Sequence, residues 1–185
     1  MRDLSKYKSL RTAIGAAYPA EEKKNVAGKE LLSKLEAAFY FSTIGIYAQG
    51  IHLLSKASAE YKYQLKLDEI AKIWRGGCII RAAFLENIYS AFKTNPALEH
   101  LFLDKEIQSI IKSVLPAARE IVSTKIAEGV SIPAFANALS YFDAIRSERM
   151  PVNLVQAQRD YFGAHTYELI GKEGVFHTEW DAKSK

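Results

Sequence analysis

The stretch GKELLSKLEAAFYFSTIGIYAQGIHLL, residues 28–54, decides the fold of this chain. Its apolar residues recur at intervals of three and four, the spacing that places side chains on one face of an α-helix. We therefore expect one long helix that follows Gly28 and runs to about Leu54. The residues that form its expected apolar stripe are Leu31, Leu32, Leu35, Ala38, Phe39, Ser42 and Ile46.

The helical spacing recurs downstream, and no convincing alternating strand pattern appears anywhere in the sequence. Asp68 begins a second helix, and the pair Gly76-Gly77 either ends that helix or lets a neighbouring helix approach closely. The apolar pattern resumes at Ile79 and continues to Phe92. This part of the chain is therefore expected to be helical as well.

Three more helices are expected in the second half of the chain. Pro116 lies within the first of them and should kink it, because proline removes one backbone hydrogen bond and clashes with the preceding turn. The helices are expected to begin at Asp104, at Pro133 and at Pro151; the first ends at Gly129 and the last near Gly163. The predicted fold class is all-α.

Composition bounds the class of protein. The chain has 185 residues, of which 49% are apolar and 25% are charged, as in an ordinary globular domain. No apolar run approaches the roughly 20 residues that span a bilayer, and the N-terminus lacks a signal-peptide pattern, so we expect a cytoplasmic protein without a membrane partner. The single cysteine, Cys78, allows no internal disulfide and is expected to be a small buried residue. A net charge of +4 without a motif does not favour a nucleic-acid partner.

The C-terminal region is the most informative part of the chain for function. It reads NLVQAQRDYFGAHTYELIGKEGVFHTEW, residues 153–180, and is too polar for a core and unusually rich in aromatic residues. The guanidinium of Arg159 suits a phosphate or carboxylate, and His165 adds a second donor if Gly163 bends the chain between them. These two residues are expected to form half of an anion-binding site.

The residues after Gly163 lose helical spacing but keep many large apolar side chains. Exposed on a single chain, they would form an apolar patch of the kind that contacts a partner. We therefore expect a helical domain at residues 1–163 and a C-terminal tail at residues 164–185 that packs on a partner subunit. The apolar and aromatic residues of this tail are Tyr167, Ile170, Val175, Phe176 and Trp180.

Several kinds of site lack a signal in this sequence. Hydride transfer with a dinucleotide needs a Gly-x-Gly-x-x-Gly turn between a strand and a helix, and none is present, so no cofactor-binding residue is assigned. The four histidines, at positions 52, 100, 165 and 177, include no pair at the spacing of helical metal ligands, so no metal site is assigned. We expect His177 to help lock the tail rather than to bind a ligand.

Three separated motifs resemble the C-terminal helical domain of the 6-phosphogluconate dehydrogenase family. They are Tyr47-Ala-Gln-Gly, the run IAKIWRGGCIIRA at residues 70–82, and the C-terminal region at residues 153–180 quoted above. The resemblance implies an NADP-dependent enzyme that decarboxylates 6-phosphogluconate to ribulose 5-phosphate in the pentose phosphate pathway. It also implies that this chain supplies only the helical domain, forms most of a homodimer contact, and sends its tail to the partner subunit.

By this resemblance, Arg159 and His165 bind the substrate phosphate in the neighbouring subunit's active site. Arg2, in a short match at the start of the chain, binds the same phosphate from within its own subunit. The family's lysine base, glutamate acid and cofactor-binding half have no counterpart in these residues, so no catalytic residue is assigned and NADP is expected only in the intact enzyme. The tail departs from the family at Leu169 and Gly171, where the family has arginine and aspartate.

Alternative interpretations stay open. Arg159 is also consistent with a surface ion pair to Asp160 or Glu168, and His165 with capping of the preceding helix. The whole chain is also consistent with a stand-alone, non-catalytic dimerisation or regulatory module, or, with less support, a weak basic nucleic-acid binder. Whether the chain is the helical domain of the enzyme or a stand-alone module, the 185 residues alone should fold, dimerise and show no NADP reduction.

Overall fold

The computed structural model describes residues 2–19 and 28–180, with Arg2 described by its backbone alone. These residues form seven α-helices and two short 3-10 turns, without a β-strand in the described ranges, so the all-α prediction is confirmed. The turns are Arg2–Tyr7 and Leu101–Leu103. The helices are α1 (Lys8–Ala17), α2 (Lys29–Glu60), α3 (Leu67–Arg75), α4 (Leu85–Thr94), α5 (Lys105–Ala127), α6 (Pro133–Ile145) and α7 (Asn153–Gly163).

The chain divides into two compact units, one up to Phe142 and one from Asp143 onward. The first unit contains the hydrophobic core, in which α2 packs against α5 and α3 packs against α4. Phe41 and Ile44 of α2, with Ile107 and Ile121 of α5, are among the residues that are 3% exposed or less. The predicted boundary between a helical domain at residues 1–163 and a tail at residues 164–185 depends on the contact of the tail with a partner subunit. It stays a prediction.

Local signals placed most helix ends correctly. The α5 helix begins after Asp104, whose carboxylate accepts a hydrogen bond of 3.0 Å from the backbone N–H of Ile107 and so caps the first turn. It runs unbroken across Pro116 and ends just before Gly129, which has a positive φ of 70°. The predicted helix from Ile79 to Phe92 was wrong at its start, because α4 begins only at Leu85.

Two faces of α2 are apolar, and only one of them is buried. The core face contains Ala38, Phe41, Ile44, Ala48 and Ile51. A second row at seven-residue intervals is exposed: Leu32 (68%), Phe39 (64%), Ile46 (56%) and Leu53 (69%). We call these four residues the α2 stripe. Several residues of the stripe expected from the sequence therefore face solvent, because spacing alone cannot choose between two apolar faces.

A groove of about 470 Å³ adjoins the α2 stripe. One wall is formed by Phe39 and Ile46, and the other by Trp74 and the residues before α4. In that segment Gly77 adopts a φ of +87°, and Ile79 is fully exposed. The groove extends the apolar surface of the stripe.

His100 is a buried polar residue of the first unit, with 8% of its surface exposed. Its Nδ1 atom accepts from the backbone N–H of Phe102 at 3.1 Å, so Nε2 carries the hydrogen and donates to the hydroxyl of Tyr141 at 2.9 Å. Burial, helped by the neighbouring His52, lowers the pKa of His100 from 6.5 to about 4. The ring is therefore neutral near pH 7.

Among the described residues, no helix is both long and apolar enough to cross a membrane.

Candidate anion site at the end of α7

Arg159 lies in the last turns of α7, and His165 follows the end of that helix. Both side chains are exposed. Within the described residues, neither side chain makes a hydrogen bond or an ion pair, so their donors are available to an external group. The alternative interpretation of Arg159 as the partner of Asp160 is wrong, because Asp160 is fully buried and bonded elsewhere.

Asp160 receives four hydrogen bonds from the residues that follow α7. Its Oδ1 atom accepts from the backbone N–H of Thr166 at 3.1 Å and from Nδ1 of His177 at 2.9 Å. Its Oδ2 atom accepts from the backbone N–H of Thr178 and from Nε1 of Trp180, each at 2.9 Å. We call these five residues the Asp160 clamp. The predicted role of His177 in locking the tail is confirmed by this contact.

The environment of Asp160 sets its charge. Burial alone would raise the pKa of this carboxyl, since the side chain has 0% of its surface exposed. The hydrogen bonds from Thr178, His177 and Trp180 outweigh burial and hold the pKa at about 2, below the ordinary 3.8. Asp160 is therefore an ionised carboxylate at neutral pH, and its charge strengthens all four bonds.

The chain reverses direction immediately after α7. Ala164 adopts the left-handed conformation, with φ 49° and ψ 41°, and its N–H bonds to the carbonyl of Asp160 at 2.9 Å. Thr166 is also left-handed, with φ 58°. The predicted bend at Gly163 therefore lies at the next residue, and Gly163 itself is the last residue of the helix. His165 is held between the two left-handed residues.

The tail then forms a short hairpin. Tyr167 and Phe176 exchange two backbone hydrogen bonds, of 2.9 and 2.8 Å, and their rings stack with centroids 6.4 Å apart. The turn between them contains Gly171 and Gly174, with φ of +73° and +102°, values that favour glycine. Gly171, one of the departures from the family pattern, is therefore suited to its place in this turn.

Gly163 matters to the site because the ring of His165 lies over it. A Cβ atom at position 163 would stand 3.3 Å from Nε2 and 3.4 Å from Cδ2 of His165. A side chain at position 163 would therefore be in tight contact with the ring of His165, which would have to shift by a few tenths of an ångström. The side chain of Arg2, the third predicted phosphate ligand, lies outside the described residues.

The contacts of the Asp160 clamp were not predicted from the sequence. Asp160 belongs to no recognisable motif, and adjacent residues on a helix do not face each other, so its position next to Arg159 does not indicate its partners. No group of three or more potential metal-ligating side chains is found within residues 2–19 and 28–180. The described site offers two side-chain donors, those of Arg159 and His165, on a backbone that the clamp restrains.

Comparison with known proteins places these features in a family. A sequence model described as "6-phosphogluconate dehydrogenase, C-terminal domain" matches residues 1–180. A Bacillus subtilis protein, the NADP(+)-dependent, decarboxylating 6-phosphogluconate dehydrogenase, is 46% identical over 181 residues, which are 97% of this chain and 39% of that protein. A Lactococcus lactis decarboxylating 6-phosphogluconate dehydrogenase is 51% identical over 152 residues, 82% of this chain and 32% of that protein.

The fold agrees with a solved structure as well. The 6-phosphogluconate dehydrogenase of Plasmodium falciparum, solved without ligand, with NADP+ and with 6-phosphogluconate, superposes with a TM-score of 0.87 and 44% identity. That match covers 97% of this chain and 39% of the other chain. The chain thus spans about two fifths of the length of such relatives.

Proposed function

Because the chain belongs to the 6-phosphogluconate dehydrogenase family and matches its C-terminal domain, we propose that it acts as the substrate-phosphate-binding and dimerising domain of a decarboxylating, NADP-dependent enzyme. The reaction would be the oxidative decarboxylation of 6-phosphogluconate to ribulose 5-phosphate. The observation that supports this most is the exposed pair Arg159 and His165, with free donors, held beside the Asp160 clamp. No catalytic residue of this chain is proposed, and NADP is assigned to the whole enzyme.

The proposed ligand of Arg159 and His165 is the phosphate group of 6-phosphogluconate. A guanidinium donates two parallel bonds to such a group, and an imidazole adds a third donor. Arg2 is proposed as a further ligand from the subunit that holds the substrate. Since the tail is proposed to cross to the partner subunit, each pocket would draw on both chains.

The proposed partner is a second copy of this chain. The α2 stripe and the adjoining groove support it, because a contiguous apolar surface on a helical protein usually marks a contact with another protein. The large apolar residues of the tail, such as Ile170 and Val175, are also exposed, at 73% and 67%. The cytoplasmic location inferred from the sequence stays a prediction.

A second candidate function is a non-catalytic dimerisation or regulatory module without substrate. The α2 stripe favours it as much as it favours the enzyme, because the stripe requires neither Arg159 nor His165. The two proposals differ only in whether the pair at the end of α7 binds phosphate.

Calorimetric titration of the purified chain with 6-phosphogluconate and with inorganic phosphate tests this difference. Charge-assisted bonds contribute roughly 1.5–3 kcal/mol each, so replacing Arg159 and His165 together with alanine should weaken binding by about a hundredfold or more. The matched control is Arg149→Ala, an exposed arginine just before α7 that should leave affinity unchanged. A folded dimer that binds neither ligand would favour the regulatory module.

Gly163→Ala provides a more local test of the same site. The backbone of Gly163 is helical and alanine is the better helix former, so the fold should be retained or slightly stabilised. The added methyl group would lie 3.3 Å from Nε2 of His165 and should shift the ring by a few tenths of an ångström. We expect phosphate affinity to fall, by less than the roughly tenfold that complete loss of one such hydrogen bond represents. Gly15→Ala, where a Cβ meets no atom within 4 Å, is the control.

Unchanged affinity in Gly163→Ala, together with a displaced His165 ring in nuclear magnetic resonance spectra, would exclude His165 as a phosphate ligand. Arg159 would then remain the only ligand proposed for this end of α7.

A further inference from the structure

We propose that Asp160 is a positioning residue for substrate binding. Its buried carboxylate holds the backbone that carries His165 against α7, the helix that carries Arg159, and so fixes the pair that presents donors to the phosphate. This inference rests on the proposed function of that pair. Asp160 itself contacts no ligand, because it has 0% of its surface exposed. Its effect would pass through the tail residues that bond to it.

The Asp160 clamp joins two separate segments of the tail to α7. Thr166, immediately after His165, bonds to Oδ1, and the segment from His177 to Trp180 bonds to both oxygens. The amide of Gln156 adds a bond of 2.7 Å to the carbonyl of Thr166. The residue after His165 is thus held from both its N–H and its carbonyl.

The position of His165 depends on this restraint. Ala164 and Thr166 both adopt left-handed conformations, which are strained for residues other than glycine. Without the bonds to Asp160, the chain would relax to commoner backbone conformations. His165, between these two residues, would then lose its place over Gly163.

Position 160 requires a carboxylate. All four groups that face Asp160 are N–H donors, two on each oxygen. An asparagine has one acceptor oxygen and one NH2 group that only donates, so either orientation of its amide would set the NH2 group against two donors. His177 could change tautomer to avoid this conflict, but the backbone N–H groups of Thr166 and Thr178 could not.

The test compares Asp160→Asn with Glu179→Gln, which removes a carboxylate from an exposed residue of the same segment. Hydrogen exchange at the amides of Thr166 and Thr178 reports the clamp, and titration with 6-phosphogluconate reports the site. We expect Asp160→Asn to lose amide protection at both threonines and at least tenfold in affinity. Glu179→Gln should change neither.

A double-mutant cycle separates positioning from general stability. If Asp160 acts through Arg159 and His165, adding Asp160→Asn to a chain that already lacks both side chains should cause no further loss of affinity. Trp180→Phe, which removes one of the four donors, should give an intermediate loss and keeps the test informative if Asp160→Asn does not fold.

The possible failures are distinguishable. Lost amide protection with unchanged affinity would overturn the positioning role and leave the proposed function intact. An additive loss in the double-mutant cycle would do the same, since it would show an effect that bypasses the pair. Absence of binding by the unmutated chain would overturn the proposed function and the positioning role together, whatever the exchange of the two amides.

Discussion

Replacing Ile46 with aspartate should raise the dissociation constant of the proposed dimer by about a hundredfold or more. Ile46 lies in the middle of the α2 stripe, beside the apolar groove, and is 56% exposed in the single chain. An unpaired carboxylate buried in an apolar contact costs several kcal/mol, and each 1.4 kcal/mol is a factor of ten in affinity. Sedimentation velocity over a range of concentrations would measure the change.

The matched control for this substitution is Ile126→Asp. Ile126 is an isoleucine on α5 with 54% of its surface exposed, so the two variants add the same charge at the same exposure. Both should keep the helical content of the unmutated chain. If Ile126→Asp dissociates the dimer and Ile46→Asp does not, the contact lies on α5, and the role proposed for the α2 stripe is wrong.

Acid should destabilise the first unit through His100. Protonation would add a hydrogen at Nδ1, where the N–H of Phe102 already donates. The folded pKa of about 4 lies below the ordinary 6.5, so the stabilisation is fully present above pH 6.5 and is lost as pH falls towards 4. The loss amounts to at most about 3.5 kcal/mol, since one pKa unit corresponds to about 1.4 kcal/mol. Urea unfolding at successive pH values would measure it.

His100→Asn should flatten this dependence, because asparagine can still cap the turn at Phe102 but does not titrate. His52→Asn should keep most of the dependence, since burial is the larger cause of the lowered pKa of His100. An equal slope in all three proteins would assign the acid sensitivity to other groups. Asp160 affects stability in a lower pH range than His100. Its stabilising contribution is fully present above pH 3.8 and is lost as pH falls towards 2.

The sequence predicted those elements that depend on local signals. Gly28 and Asp104 mark the starts of α2 and α5, and the end of α7 at Gly163 was placed correctly, because capping and termination depend on a few neighbouring residues. The start of α4 was misplaced, since the apolar run from Ile79 resembles a helix in composition. Only the three-dimensional arrangement reveals that this segment is irregular and that Ile79 is exposed.

The functional residues divide in the same way. Arg159 and His165 could be identified from residue type and from resemblance to a family, and both are exposed as an anion site requires. The role of Asp160 could not be identified, because its partners are 6 to 20 residues away and two of them are backbone N–H groups. Every residue other than proline has a backbone N–H, so the residue type does not indicate which of these groups bonds to Asp160.

The short reach of these bonds has a consequence for the order of folding. The clamp closes chain segments of at most 20 residues, whereas the bond between Lys34 of α2 and Glu120 of α5 joins residues 86 apart. The entropy lost on closing a loop grows with its length, and local contacts generally form sooner. We therefore expect that, when the unfolded chain refolds, the tail closes on α7 before the core between α2 and α5 is complete.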